Sequence, residues 1–256
     1  MKLKVAGCYG GHMPGRHNSG FVLDGETLID AGTIGMNMDI HEQRKIRRIL
    51  ISHPHLDHIE GLPFYAVNIV SNKAPTVPVI GAKYTIDAIK EHLMNGIIWP
   101  DFTGIKNFSG NEVLSYRRIP LDKWFNAGPY RIKAVSVNHT IKTNGYIIGK
   151  GGRYIMYSGD TKATSKIWKE AVKLGKKLKT VIVEMSFPNE LEGLADASCH
   201  FVPRTLENEL KKLGKLKPKV LVYHIKPEHL VKVKKEIRRI KSFDIQVLEE
   251  KKTYDV

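Results

Sequence analysis

The 256-residue chain has two cysteines, Cys8 and Cys199, and they lie too far apart in sequence for a CxxC metal site or a disulfide framework. Any metal site must therefore be built from histidine and carboxylate. Long hydrophobic runs are also missing. No window of about twenty apolar residues exists to span a bilayer, and the first apolar run in "MKLKVAGCYGGHM" is too short for a signal-peptide core. A soluble, cytoplasmic protein with no membrane contact is the expectation. Fixed-period repeats, low-complexity segments and long linkers are absent as well, which favours a single domain over residues 1–256.

Acidic residues are in deficit. There are 41 Lys and Arg against 26 Asp and Glu, a formal charge of +15. Such a field draws anions, phosphate esters and nucleic acid included. The basic runs "HEQRKIRRIL", "KEAVKLGKKLK", "KKLGKLKPK" and "KVKKEIRRIK" contain no interleaved aromatics of the kind that stack bases. They read first as polar faces of amphipathic helices. Nucleic acid is the lesser partner expected, a small phosphodiester the greater, and a homodimer is left open.

What the chain does have is a succession of short strand-like runs. They include "KLKVAGC", "GFVLDG", "TLIDAG", "RRILISH", "PTVPVIG", "EVLSYRRI", "YRIKAVSVNH", "GYIIGK", "RYIMYSGD", "TVIVEMS", "KVLVYHI" and "DIQVL". Helical patterns lie at 83–95, 164–179, 203–214 and 227–241. Two blocks, roughly 1–125 and 126–256, each read as strands followed by helices. Two mixed sheets packed face to face with helices outside, an α/β fold, satisfy this pattern.

Several strands end on a group that can bind metal or move a proton: Asp30, His53 and His55, His139, Asp160, Glu184 and His224. Groups at the carboxyl ends of strands converge on one sheet edge. The densest case is "ISHPHLDHIEGL" at 51–62. Residues two apart on an extended segment point the same way, so His53 and His55 can close on one ion. Asp57 and His58 follow where the chain turns into a helix and can face a second. His139 is expected to complete the first set, His224 to join Asp57 and His58, and Asp160 to bridge. Imidazole and carboxylate suit two divalent ions, zinc first, with iron or manganese also compatible.

The order Asp30, HxHxDH, His139, Asp160, His224 resembles the metallo-β-lactamase superfamily of di-metal hydrolases, whose fold is a four-layer αββα sandwich. Within it, "HPHLDHIEGL", "YSGDT", "VIVEMSFPNELEGLADASCHFVPRTLENELKKL", "LVYHIKPEH" and "LIDAGT" look like class II cyclic-nucleotide phosphodiesterases. Cys199 stands where that family usually has glycine. The resemblance implies hydrolysis of 3′,5′-cyclic nucleotides to 5′-nucleotides, with Asp57, Glu184 and His200 as catalytic residues. Glu184 and His200 match a pair that acts near the leaving group in the related tRNA 3′-processing nucleases. Asp30 is expected to orient a ligand histidine. RNA phosphodiester cleavage is the second reading, and a non-hydrolytic metal-binding or redox protein on the same fold is the third. The loop "GGHMPGRHNSG" offers His12, Arg16, His17, Asn18 and Ser19 as contacts to phosphate or base, or else is a hairpin loop. His41, His92 and His229 have no comparable context.

Overall fold

The computed structural model describes residues 1–71, 73 and 75–256. These form fourteen strands and eight α-helices. The first run in chain order is β1 (Lys2–Gly7), β2 (Gly20–Leu23), β3 (Thr27–Ile29), α1 (Ile40–Gln43), β4 (Arg48–Leu50), α2 (Leu56–Ile59), α3 (Gly61–Ile69), β5 (Val77–Ala82), α4 (Lys83–His92) and β6 (Leu114–Ile119). A four-strand meander follows: β7 (Trp124–Ala127), β8 (Tyr130–Val137), β9 (Thr143–Lys150) and β10 (Arg153–Tyr157). The rest is α5 (Lys166–Val172), β11 (Leu178–Glu184), α6 (Glu192–Ser198), α7 (Pro203–Leu210), β12 (Lys219–Tyr223), α8 (Leu230–Ile237), β13 (Ile245–Val247) and β14 (Thr253–Asp255). No helix among the described residues is long and apolar enough to cross a membrane.

Contacts divide the chain into two compact units. One holds residues 1–8, 17–120 and 249–255, and the other holds 9–16, 121–248 and 256. The boundary near 120 agrees with the block pattern in the sequence, but two short segments trade places. β14 pairs antiparallel with β1, Leu3 opposite Tyr254, which draws the C-terminal segment into the first unit. Residues 9–16 join the second through a bridge between Tyr9 and Ile225. Pairings between the chain's two ends leave no trace in local periodicity.

The first unit carries a sheet in the order β14-β1-β2-β3-β4-β5-β6, and the second a sheet in the order β13-β12-β11-β10-β9-β8-β7. Both are mixed: antiparallel from β14 to β3 and from β7 to β10, parallel from β3 to β6 and from β10 to β13. The parallel strands β4, β11 and β12 read as continuous apolar runs because both faces are covered. In the first unit, Leu62, Tyr65, Ala66 and Ile69 of α3 form one core with Ile49, Ile51 and Val79. In the second, α5 buries Ile167, Trp168 and Ala171. All twelve strand-like runs of the sequence form strands. The short, half-exposed β7 and β14 escape the pattern, since neither has a buried face long enough to show a period.

One ion pair fastens α5 to the sheet. Glu170 accepts from Lys133 Nζ of β8 at 2.7 Å and from Lys173 Nζ at 2.6 Å. These hydrogen bonds hold the Glu170 carboxyl below its ordinary pKa of 4.5. A depressed carboxylate pKa contributes stability that is complete above 4.5 and lost as pH falls through the folded value. Glu170→Gln is therefore expected to cost about 1 kcal/mol at pH 7. The penalty should vanish in acid, as urea unfolding of both proteins across pH would show.

Candidate metal centre

The first unit presents one half-set of donors at the ends of β3 and β4. β4 delivers Ser52 and His53, His55 lies extended at φ −63° and ψ 145°, and α2 opens at Leu56 to carry Asp57 and His58 on its first turn. His53 Nε2 and His55 Nδ1 stand 3.1 Å apart. Two imidazole nitrogens at about 2.1 Å from one tetrahedral ion would stand roughly 3.4 Å apart, so the pair suits a shared cation. Asp57 Oδ2 lies 4.0 Å from His58 Nε2.

Behind these donors sits Asp30, fully buried and in the left-handed region at φ 53°. Its Oδ1 accepts from Ser52 N at 2.7 Å, and its Oδ2 from Ser52 Oγ at 2.8 Å and from His58 Nδ1 at 2.8 Å. A carboxylate only accepts, so His58 carries its proton on Nδ1 and turns its Nε2 lone pair outward. Ser52 Oγ donates to Asp30 and accepts from His53 Nδ1 at 2.9 Å, which imposes the same tautomer on His53. One carboxylate thereby fixes two histidines.

The second unit presents the other half-set. His139 follows β8, Asp160 follows β10 and His224 follows β12. His139 Nδ1 donates to Cys199 O at 3.2 Å, and His224 Nδ1 meets Ser186 Oγ at 3.0 Å. Both again leave Nε2 for a ligand. His224 Nε2 and Asp160 Oδ2 are 3.2 Å apart, and His139, Asp160 and His200 each offer an atom within 4.8 Å of the others'. His224 is held at φ 70°. Its ring rests against the backbone of Gly10, where a Cβ would stand 2.7 Å from Nδ1; no other residue fits there.

Glu184, at the end of β11, is the hub of this unit. Its Oε1 accepts from Phe201 N at 3.1 Å and from Thr161 N at 3.3 Å; its Oε2 meets His200 Nδ1 at 3.3 Å and Ser186 Oγ at 3.4 Å. Complete burial pushes the Glu184 carboxyl's pKa up, against the pull of His200. Burial also opposes protonation of His200, but the Glu184 charge overrides it and raises the His200 pKa. An imidazole so placed favours its protonated form and can act as an acid through Nε2.

Among the described residues, three of the six non-glycine residues with positive φ, Asp30, Cys199 and His224, therefore belong to these half-sets. Strain of this kind persists where the surroundings over-determine it, and it clusters at functional sites. Cys199 ends α6 at φ 58° and ψ 50°, a conformation natural to the glycine that the family pattern has there. Cys199→Gly is expected to stabilise the chain by about 0.5–1 kcal/mol in urea unfolding, relief of left-handed strain exceeding the backbone entropy that glycine adds.

Sequence reasoning did not find Ser52, Ser186 or the carbonyl of Cys199, whose partners are set by the fold. In the loop, Arg16 Nη1 donates to Tyr9 Oη, His17 Nδ1 meets Glu250 Oε2 at 2.8 Å, and Asn18 Nδ2 donates to Glu60 Oε1. Ser19 is buried and His12 exposed. His41 and His92 are exposed on α1 and α4, while His229 pairs with Glu228.

The donor set, imidazole nitrogens and carboxylate oxygens with Nε2 presented by four histidines, fits borderline divalent cations in both halves. In fold, the chain matches the metallo-β-lactamase fold protein YhfI of Bacillus subtilis over 99% of both chains, at TM-score 0.79 and 17% identity. It also matches unliganded yeast PDE1 over 98% of both, at TM-score 0.82 and 18% identity. In sequence, it is 28% identical over 183 residues to a 3′,5′-cyclic-nucleotide phosphodiesterase of Schizosaccharomyces pombe, covering 66% of this chain and 51% of that one. The chain thus spans about half the length of that curated relative. The fold is that of the metallo-β-lactamases, as the sequence led one to expect. Residues 36–254 match the model of the class-II cAMP phosphodiesterases, a segment that includes every donor but not the supporting Asp30, and the chain belongs to that family.

Proposed function

We propose that the chain is a metal-dependent phosphodiester hydrolase that opens 3′,5′-cyclic nucleotides to 5′-nucleotides, with residues 1–256 acting as one domain. His53, His55 and His139 would hold one divalent cation, and Asp57, His58 and His224 a second, with Asp160 shared. Zinc suits these donors first, and iron or manganese also fit. When bound, two such ions supply Lewis acidity to the phosphoryl group and an activated water near neutral pH.

The chain's own groups supply the rest. Asp57, partly exposed beside His58, orients the attacking water. His200 gives the proton on Nε2 to the ribose 3′ oxygen as the P–O3′ bond breaks, and solvent returns it after product leaves. Glu184 positions the His200 ring through Nδ1 and keeps it protonated. Ser186 ties this pair to His224, so that acid and ligand share one hydrogen-bonded frame.

The observation that carries the reading is the buried Glu184–His200 pair on either side of the "SFPN" segment, set beside Asp160 and His224. The test is turnover of cAMP, cGMP and the linear diester bis-p-nitrophenyl phosphate by protein loaded with zinc, manganese or iron. His55→Ala serves as the blank. Hydrolysis of a cyclic nucleotide that disappears in the blank supports the reading. Hydrolysis of the linear diester alone would overturn the cyclic substrate while leaving the reaction class.

A further inference from the structure

The meander β7 to β10 carries a feature that phosphodiester hydrolysis does not use. From Lys123 to Gly159 the sequence holds no aspartate or glutamate, yet it holds six cations: Lys123, Arg131, Lys133, Lys142, Lys150 and Arg153. The basic runs noted in the sequence lack aromatics, but here the sheet register brings aromatics and cations together. Trp124 of β7 and Tyr154 of β10 meet edge to face, with ring centroids 6.0 Å apart and planes at 68°.

Two strands lie between those rings. Asn126, Arg131, Gly149 and Tyr154 form one row across the four strands. Gly149 is the device that closes the distance. A Cβ there would lie 2.2 Å from Tyr154 Cε1, so only glycine lets the tyrosine ring lie down across β9. The Arg131 guanidinium then sits 4.6 Å from the Trp124 ring centroid, and Lys133 Nζ sits 5.8 Å from it.

Trp124 and Tyr154 are partly exposed and Arg131 is exposed. Beside them opens a cleft of about 300 Å³ lined by Asn126, Arg131, Lys150, Gly151, Gly152 and Tyr154, among others. No carboxylate lines it among the described residues. An exposed cation on an aromatic face is, on its own, a surface fastening. Lys133 is paired with Glu170, but the two rings, the Arg131 and Arg153 guanidinium groups and a cleft lined without carboxylate lie together here, which suits a ligand with flat bases and regularly spaced negative charge.

We propose that this end of the meander binds single-stranded nucleic acid, with bases stacking on Trp124 and Tyr154 and phosphates pairing with Arg131 and Arg153. It lies away from the metal donors of its own unit. The turns at 128–129 and 151–152 sit at one end of β8 and β10, and His139 and Asp160 follow the other end. Eight residues of β8 span roughly 26 Å. The proposal does not depend on which diester the half-sets hydrolyse.

Fluorescence anisotropy of a labelled oligodeoxythymidylate of about ten nucleotides, titrated with the full chain at low salt, tests it. Wild type is expected to bind. Trp124→Ala and Tyr154→Ala should each weaken binding by about 5- to 100-fold, given the typical worth of one stacked base. Trp124→Phe should retain most of it, and Arg131→Gln should reduce the slope of log affinity against log salt by about 0.7. Phosphodiester turnover should be unchanged in all four. Wild type that fails to bind, or variants that bind like wild type, would overturn the proposal. So would an equal loss from Lys234→Gln and Lys235→Gln on α8, which would mark the binding as diffuse charge attraction.

Discussion

His200→Ala lowers turnover of a cyclic nucleotide by about 10²- to 10⁴-fold, the usual worth of a positioned general acid, and leaves bound metal unchanged. The expectation rests on position and proton affinity together. His200 is buried, its Nδ1 is tied to Glu184 at 3.3 Å, and the Glu184 charge raises its pKa against the effect of burial. Activity that requires protonated His200 is present at low pH and lost as pH rises through that raised value. Glu184→Gln removes the charge but keeps the shape, so the alkaline limb of the kcat/KM profile should shift to lower pH. A Glu184→Gln enzyme with an unmoved limb would show that another group titrates. Metal content retained in His200→Ala alongside full activity would remove His200 from the chemistry altogether.

Asp30→Asn weakens metal binding at the first unit's donors by about 10- to 100-fold, the usual contribution of outer partners of ligands. The reason is that one carboxylate fixes two imidazoles. Asp30 Oδ2 accepts from His58 Nδ1 directly and reaches the Nδ1 of His53 through Ser52 Oγ. An amide presents a donor to one of these partners, so one ring must reverse its tautomer or lose its contact. Ser52→Ala breaks only the His53 branch and should cost less. Competition with a chromogenic chelator measures both. Equal affinity in wild type and Asp30→Asn would mean that Asp30 serves the fold alone, where its burial and φ of 53° already make it an unusual residue.

The parts of this picture that could be read in the sequence are those set by spacing. "HPHLDH" places His53 and His55 on one side of an extended segment, and the structure keeps that segment extended until α2 begins at Leu56. The runs "RRIL", "TVIVE" and "KVLVY" read as buried strands because parallel strands are covered on both faces, and each leads into a buried polar group of the half-sets. What spacing does not carry is the support behind the donors. Asp30 and His58 are 28 residues apart, and His139 and the carbonyl of Cys199 are 60 apart; only the finished sheets bring them within hydrogen-bond reach. The same holds for Trp124 and Tyr154, whose contact requires the register of four strands and a bare glycine between them. Cys199 shows a third case. Its left-handed backbone departs from residue preference, and only the known glycine in the family pattern hinted at it.

The central claim, that both half-sets serve one pair of cations, is tested most directly by counting metal. Elemental analysis of the zinc-loaded chain should find two ions per chain in the wild type, and one fewer in His55→Ala and in His139→Ala alike, because these residues from different units are assigned to the same ion. A full complement in both variants, or a wild type that takes up no metal, would contradict it.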